Sequence, residues 1–106
     1  MKKIYPPAVD HYEMLYEEFR KDPEEAAAYL NASLEQGDKE AFLIALKHVL
    51  IALGGMTKAA DRTKMNRVSL YKMLSKNGNP GFENIMRLLH TAGIRFQVVS
   101  KSKKAA

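Results

Sequence analysis

Cysteine is absent from this chain, so neither a disulfide nor a thiolate metal site can form, and an intracellular home, expected to be the cytoplasm, is compatible. No apolar run approaches the ~20 residues needed to cross a bilayer, so no membrane span is expected. The start, Met1-Lys2-Lys3-Ile4-Tyr5-Pro6-Pro7, is charged but is not followed by the apolar stretch of a signal peptide. His11, His48 and His90 lie far apart, without carboxylate companions at ligand spacing. They read as ordinary surface or core histidines, and neither metal nor cofactor is expected. The patterns G-x-x-x-x-G-K, G-x-S-x-G and H-E-x-x-H are missing too, and Gly54-Gly55 reads as a helix break rather than a phosphate cradle. Nothing in the chain calls for an enzyme.

Acidic residues are scarce in one half only. Residues 1 to 53 carry six Lys and Arg against ten Asp and Glu, whereas residues 54 to 106 carry eleven against two. A chain of 106 residues has the size of one domain with a modest core, so this asymmetry describes two faces rather than two bodies. The basic half suits a phosphate backbone, through counterion release. The acidic half suits a basic protein surface.

Along the chain, Val9, Tyr12, Tyr16 and Phe19 recur at three- and four-residue steps among glutamates, which predicts an amphipathic helix from about Ala8 to Lys21. Asp22-Pro23-Glu24-Glu25 then stops one helix and caps the next, because Asp accepts from free amides, Pro fits the first turn and acids suit the positive helix end. The second helix runs to about Gln36, with Ala26, Ala27, Leu30 and Leu34 on one face, and Gly37 ends it. Asp38 caps a third, Lys39 to Leu53, whose apolar positions Phe42, Leu43, Leu46, Val49, Leu50 and Leu53 cover more than one stripe and predict burial on most sides. Asn77-Gly78-Asn79-Pro80-Gly81 is a loop. It leads to a last helix, Phe82 to Ala92, with Phe82, Ile85, Met86 and Leu89 facing inward and Gly93 closing it. Met56, Met65, Met73 and Met86 read as core filler.

Met56 to Leu74 predicts two short helices around a tight turn, at helix-turn-helix spacing. Thr57 is expected to cap the first helix and Asn66 the second. Small Ala60 allows the two helices to cross closely, while Leu70 and Leu74 anchor the second to the core. That leaves Arg67, Val68, Ser69, Tyr71 and Lys72 outward, a mixture suited to base edges and phosphates of double-stranded DNA. Ile94 to Val99 alternates like a strand, with Ile94, Phe96 and Val98 against Arg95 and Gln97. A lone strand leaves its amides and carbonyls unpaired, so it is expected either to pair with its twin in a homodimer or to augment a sheet in another protein. Organisation follows as 8–36 N-terminal helices, 39–92 helix-turn-helix core, 94–99 strand and 100–106 basic tail.

Three stretches carry a resemblance that covers most of the chain: D-P-E-E-A-A-A-Y-L-N-A-S-L-E-Q-G-D-K-E-A-F-L-I-A-L (Asp22 to Leu46), G-M-T-K-A-A-D-R-T, and N-R-V-S-L-Y-K-M-L-S-K-N-G-N-P. Together they resemble the addiction-module antidote proteins, HigA-like antitoxins with a Cro/C1-type (XRE) helix-turn-helix. The resemblance implies an all-α, lambda-repressor-like fold, here with extra N-terminal helices and a short C-terminal strand. It also implies an antitoxin that neutralises a RelE/ParE-superfamily toxin and, as a homodimer on an operator expected to be palindromic, represses their shared promoter. The stretch before Asp22 is longer than the family pattern. The turn carries Lys64 and Met65 where the family has Gly then Leu, so Lys64 is expected at a positive φ that costs about 1 kcal/mol. Val68 replaces the family's acidic residue after Arg67.

Arg67 is the first candidate for base recognition, since a guanidinium there can reach guanine O6 and N7 together. Ser69 and Val68 suit a base edge and a thymine methyl, and Lys72 suits base or backbone. Lys58, Tyr71, Asn77 and Asn79 are assigned to phosphates, with packing an equal role for Tyr71, and Thr57 and Asn66 are counted in the DNA interface beside them. Tyr12, Tyr16, Phe19, Phe96 and Val98 are candidates for the toxin or dimer contact. Two other functions stay open at this level: a prophage-type XRE regulator without a toxin, and a module acting only by protein contact.

Overall fold

The computed structural model describes residues 7–101, with side chains from Tyr12 onward. Val9 and His11, whose side chains enter the reading above, and the tail from residue 102 lie outside the described side chains. Among the described residues there are six helices: α1 Pro7–Lys21, α2 Pro23–Glu35, α3 Lys39–Ala52, α4 Gly55–Thr63, α5 Arg67–Met73 and α6 Phe82–Thr91. The all-α expectation holds. Local chemistry places the early boundaries: Asp22 accepts from the Glu24 amide at 3.1 Å with Pro23 in the first turn, and Asp38 accepts from the Glu40 amide at 3.0 Å.

One apolar cluster holds all six helices together. α3 is its axis, with Leu43, Leu46, Val49 and Leu50 essentially inaccessible, and it packs against α1, α2, α4 and α6. This is the helix whose apolar positions cover more than one stripe, and burial on several sides is the reason. Phe19 of α1, Leu30 of α2, Ala59 of α4, Leu70 of α5 and Leu88 of α6 reach the same cluster. α4 bridges α3, α5 and α6, so the basic part of the chain rests on the same core as the acidic part.

Three expectations are corrected. Leu34 points outward, and Ser33 takes the inward position, its hydroxyl donating to the Leu30 carbonyl at 2.7 Å. That bond satisfies the polar atom within its own helix, which removes the cost of burying it. On α6 the buried residues are Leu88 and Leu89 with Ala92 at the cap, while Phe82 is 66% and Met86 37% exposed. The α6 sequence offers two overlapping stripes three residues apart, and packing against α4 selects the later one. Met86 is therefore not core filler. Finally, residues 94–100 carry no regular secondary structure. A strand exists only through a ladder to a second strand, and the described residues supply none.

Candidate nucleic-acid interface

The geometry of the α4–α5 pair is set by its turn. α4 ends in two crossed hydrogen bonds, the Met65 amide to the Ala60 carbonyl at 3.0 Å and the Lys64 amide to the Asp61 carbonyl at 3.2 Å, the Schellman arrangement. Lys64 sits in the left-handed region at φ 60° and ψ 37°, as the comparison with a Gly-containing turn anticipates. Half-buried Met65 follows and packs on the core. Asn66 then caps α5, its Oδ1 accepting from the Ser69 amide at 2.7 Å. Thr63 is buried and donates to the Ala59 carbonyl at 2.9 Å, so its hydroxyl is satisfied within its own helix. Ala59 and Ala60 are buried at that crossing, where bulk would separate the helices.

Thr57 does not cap α4. The helix begins earlier, at Gly55 after Gly54, with no side-chain cap, and Thr57 stands inside the first turn. The break between α3 and α4 is made by Gly54 and Gly55 at φ 135° and 87°, which starts the helix three residues sooner than a Thr57 cap would.

Leu70 and Leu74 are fully buried and Met73 nearly so, which pins one side of α5. The other side is open: Arg67, Val68, Tyr71 and Lys72 are exposed and Ser69 half-buried. Positions 67, 68, 71 and 72 share one helix face by their spacing. Thr57, Lys58, Asn66, Asn77 and Asn79 are exposed as well, and Lys64 and Lys76, absent from the sequence-based assignment, are exposed cations bracketing α5 in the chain. Their signal was position alone: one residue before Asn77, two before Asn66. The loop after α5 is held close by Gly78, where a Cβ would stand 1.9 Å from the Met73 carbonyl oxygen. Only glycine lets the chain turn back there. Acid is sparse on this side; Glu83 is engaged by Arg87 at 2.7 Å, leaving Asp61 as the other carboxylate of the basic half.

The candidates for protein contact divide. Phe19 is 2% exposed inside the core, beside Tyr29, and has no surface to offer a partner; the amphipathic period that marked it out marked a core position. Tyr16 is half-buried, and its hydroxyl and His48 Nδ1 share a hydrogen bond at 2.7 Å. Burial, then nearby Tyr12, raises the Tyr16 pKa above the ordinary tyrosine value, whereas burial and then Lys47 lower that of His48. Tyr12 stacks on the His48 ring at 4.4 Å but stays 38% exposed. These two tyrosines dock α1 onto α3. Phe96 and Val98 are exposed, and Phe96 meets Phe82 edge to face at 5.9 Å.

A family model described as "probable addiction module antidote protein" matches residues 10–100. The chain belongs to that family. The match spans from α1 through the segment after α6 and includes the whole α4–turn–α5 unit. An uncharacterized protein of Haemophilus influenzae is 36% identical over 75 residues, covering 71% of this chain and 76% of the relative. No solved structure matches the chain.

Proposed function

We propose that this protein is the antitoxin of a type II toxin–antitoxin module, acting in the cytoplasm as a single domain that binds operator DNA through a helix-turn-helix of the lambda-repressor (XRE) type. In this reading α5 enters the major groove. Arg67 reads a guanine, Val68 and Ser69 contact neighbouring base edges, and Lys72 serves base or backbone. Lys58, Tyr71, Asn77 and Asn79 grip phosphates on either side, with Thr57 and Asn66 at the edge of the interface. A homodimer places two such helices on a palindromic operator and represses the module's promoter, while a RelE/ParE-superfamily toxin is neutralised by protein contact.

The observation that carries the proposal is the face of α5: membership of an antidote family comes together with a short helix clamped by Leu70 and Leu74 whose guanidinium, ammonium and hydroxyl groups remain outward. A rigidly mounted polar face is what base reading needs, since register fixes which edge each side chain meets.

The test is a titration of the chain with the DNA upstream of its own reading frame at rising salt. Binding that falls steeply and linearly in log–log form is the expected result. A flat response would reject DNA binding and favour action through protein contact alone, and equal affinity for unrelated DNA would reject operator recognition. Co-expression with the adjacent reading frame should relieve a growth defect caused by that neighbour.

A further inference from the structure

Residues 94–99 leave α6 through a second Schellman turn, with the Gly93 amide donating to the His90 carbonyl at 2.9 Å and the Ile94 amide to the Leu89 carbonyl at 2.9 Å. Past that point the backbone from Arg95 to Val99 makes no hydrogen bond among the described residues. The segment borders apolar surface on both sides. Phe96 lines a groove with Leu34 and Phe42 in one direction and a second groove with Met86 and Leu89 in the other, and it contacts Phe82. Leu34, Phe82, Met86 and Phe96 thus form one exposed apolar band, from 37% to 66% accessible, along an unpaired backbone edge that continues to exposed Val98. An isolated exposed leucine is ordinary; a band of this kind beside free amides and carbonyls is a contact surface.

We infer that this edge is closed by a second copy of the chain, through antiparallel pairing of 94–99 about a twofold axis at Phe96. A twofold contact needs a self-complementary patch. The segment has that pattern: with Phe96 opposite Phe96, Ile94 falls opposite Val98 and Arg95 opposite Gln97. Ile94, Phe96 and Val98 then lie on one face with the band and Arg95 and Gln97 on the other, joined at the strand end by exposed Val99, and no cation directly opposes a cation. The two Arg95 side chains are diagonal neighbours about 7 Å apart along the strands on the solvated face, where the high dielectric of water keeps their repulsion small. A one-residue slip would turn the apolar set of one copy toward the polar face of the other. This assignment names the dimer surface that the proposed function requires and rests on that reading for its biological use, though not for its geometry.

Because the chain has no cysteine, single cysteines report the register directly. In the full chain, Phe96→Cys should cross-link to itself under mild oxidation, because directly opposed Cβ atoms lie within about 5.5 Å. Val98→Cys alone should not, whereas a mixture of Ile94→Cys and Val98→Cys chains should link to each other. By sedimentation the unmodified chain is expected to be a dimer, and Phe96→Asp to weaken self-association more than about 30-fold with its helical circular dichroism unchanged. A monomeric unmodified chain, a Phe96→Asp chain that stays dimeric, or Val98→Cys linking to itself as readily as Phe96→Cys would each overturn the assignment. None of these readouts contains DNA. A chain that pairs in this register yet ignores its upstream DNA would refute the proposed function and leave the interface standing.

Discussion

The two halves of this chain bury the same kind of residue and display opposite charge. α1, α2 and α3 contribute Phe19, Leu30, Leu43 and Leu46 to the core; α4, α5 and α6 contribute Ala59, Leu70, Leu74 and Leu88, and the cluster is continuous. Yet by sequence the first half carries ten acids against six cations, the second two against eleven. The core sets no requirement for this division, since surface charges far from one another contribute little to stability and are freely exchanged. Charge asymmetry is therefore a property of what the surfaces meet. Under the proposed function the basic half meets phosphate and the acidic half meets protein.

The largest expected effect tests whether the halves truly share a core. Leu70→Ala removes a fully buried side chain of α5 and should cost about 2–5 kcal/mol. Denaturant unfolding should remain one transition with a lower midpoint; two separated transitions would show that the basic half is held independently. Next comes the nature of the basic surface. Arg67→Ala should lose about 1–3 kcal/mol at one base pair per half-site, while Lys58→Ala should weaken all sequences alike and reduce the salt slope by about 1. Binding to single-base operator variants at several salt concentrations separates the two, and a reversed pattern would exchange their roles.

Smaller effects sharpen the comparison at the backbone. Two helices end in the same Schellman geometry, α6 with Gly93 at φ 76° and α4 with Lys64 at φ 60°. Lys64→Gly should relieve about 1 kcal/mol of left-handed strain, partly offset by the greater freedom of glycine in the unfolded chain. A rise of a few degrees in thermal midpoint is expected, about 4–8 °C per kcal/mol for a domain near this size. The smallest effect belongs to the acidic half. His48 is held below its ordinary pKa, so the unfolded chain binds the proton more readily. Stability is then full above the unfolded value of about 6.5 and declines as pH falls through it toward the native value. Thermal midpoints measured from about pH 8 to about pH 5 should show that decline, and His48→Asn should flatten it.

Much of the helical frame was legible beforehand because its signals are local. Asp22, Asp38 and Asn66 cap the helices they precede, since a short acceptor side chain reaches only the amides two or three residues on. Lys64 took its left-handed conformation because a turn of that length leaves no alternative. Errors gathered where two local solutions compete. Thr57 was a plausible cap, but the glycine pair opened the helix first. Phe19 and Tyr16 share a period on α1, yet one is core and the other reaches His48, a partner 32 residues away that no local pattern reveals. The outward face of α5 was legible because Leu70 and Leu74 mark its inward face.

The sequence by itself determined the helices, the caps at Asp22, Asp38 and Asn66, the division of charge and the buried α3, all of which depend on residues within a turn or two of one another or on composition. Only the tertiary structure decided which of two stripes on α6 is buried, that Phe82 and Met86 stand outside, and that 94–99 takes no regular secondary structure among the described residues. The reason is physical. A helix closes its hydrogen bonds within itself, so its existence can be read along the chain. The choice of face and the pairing of an edge are settled by whatever else occupies the space beside them.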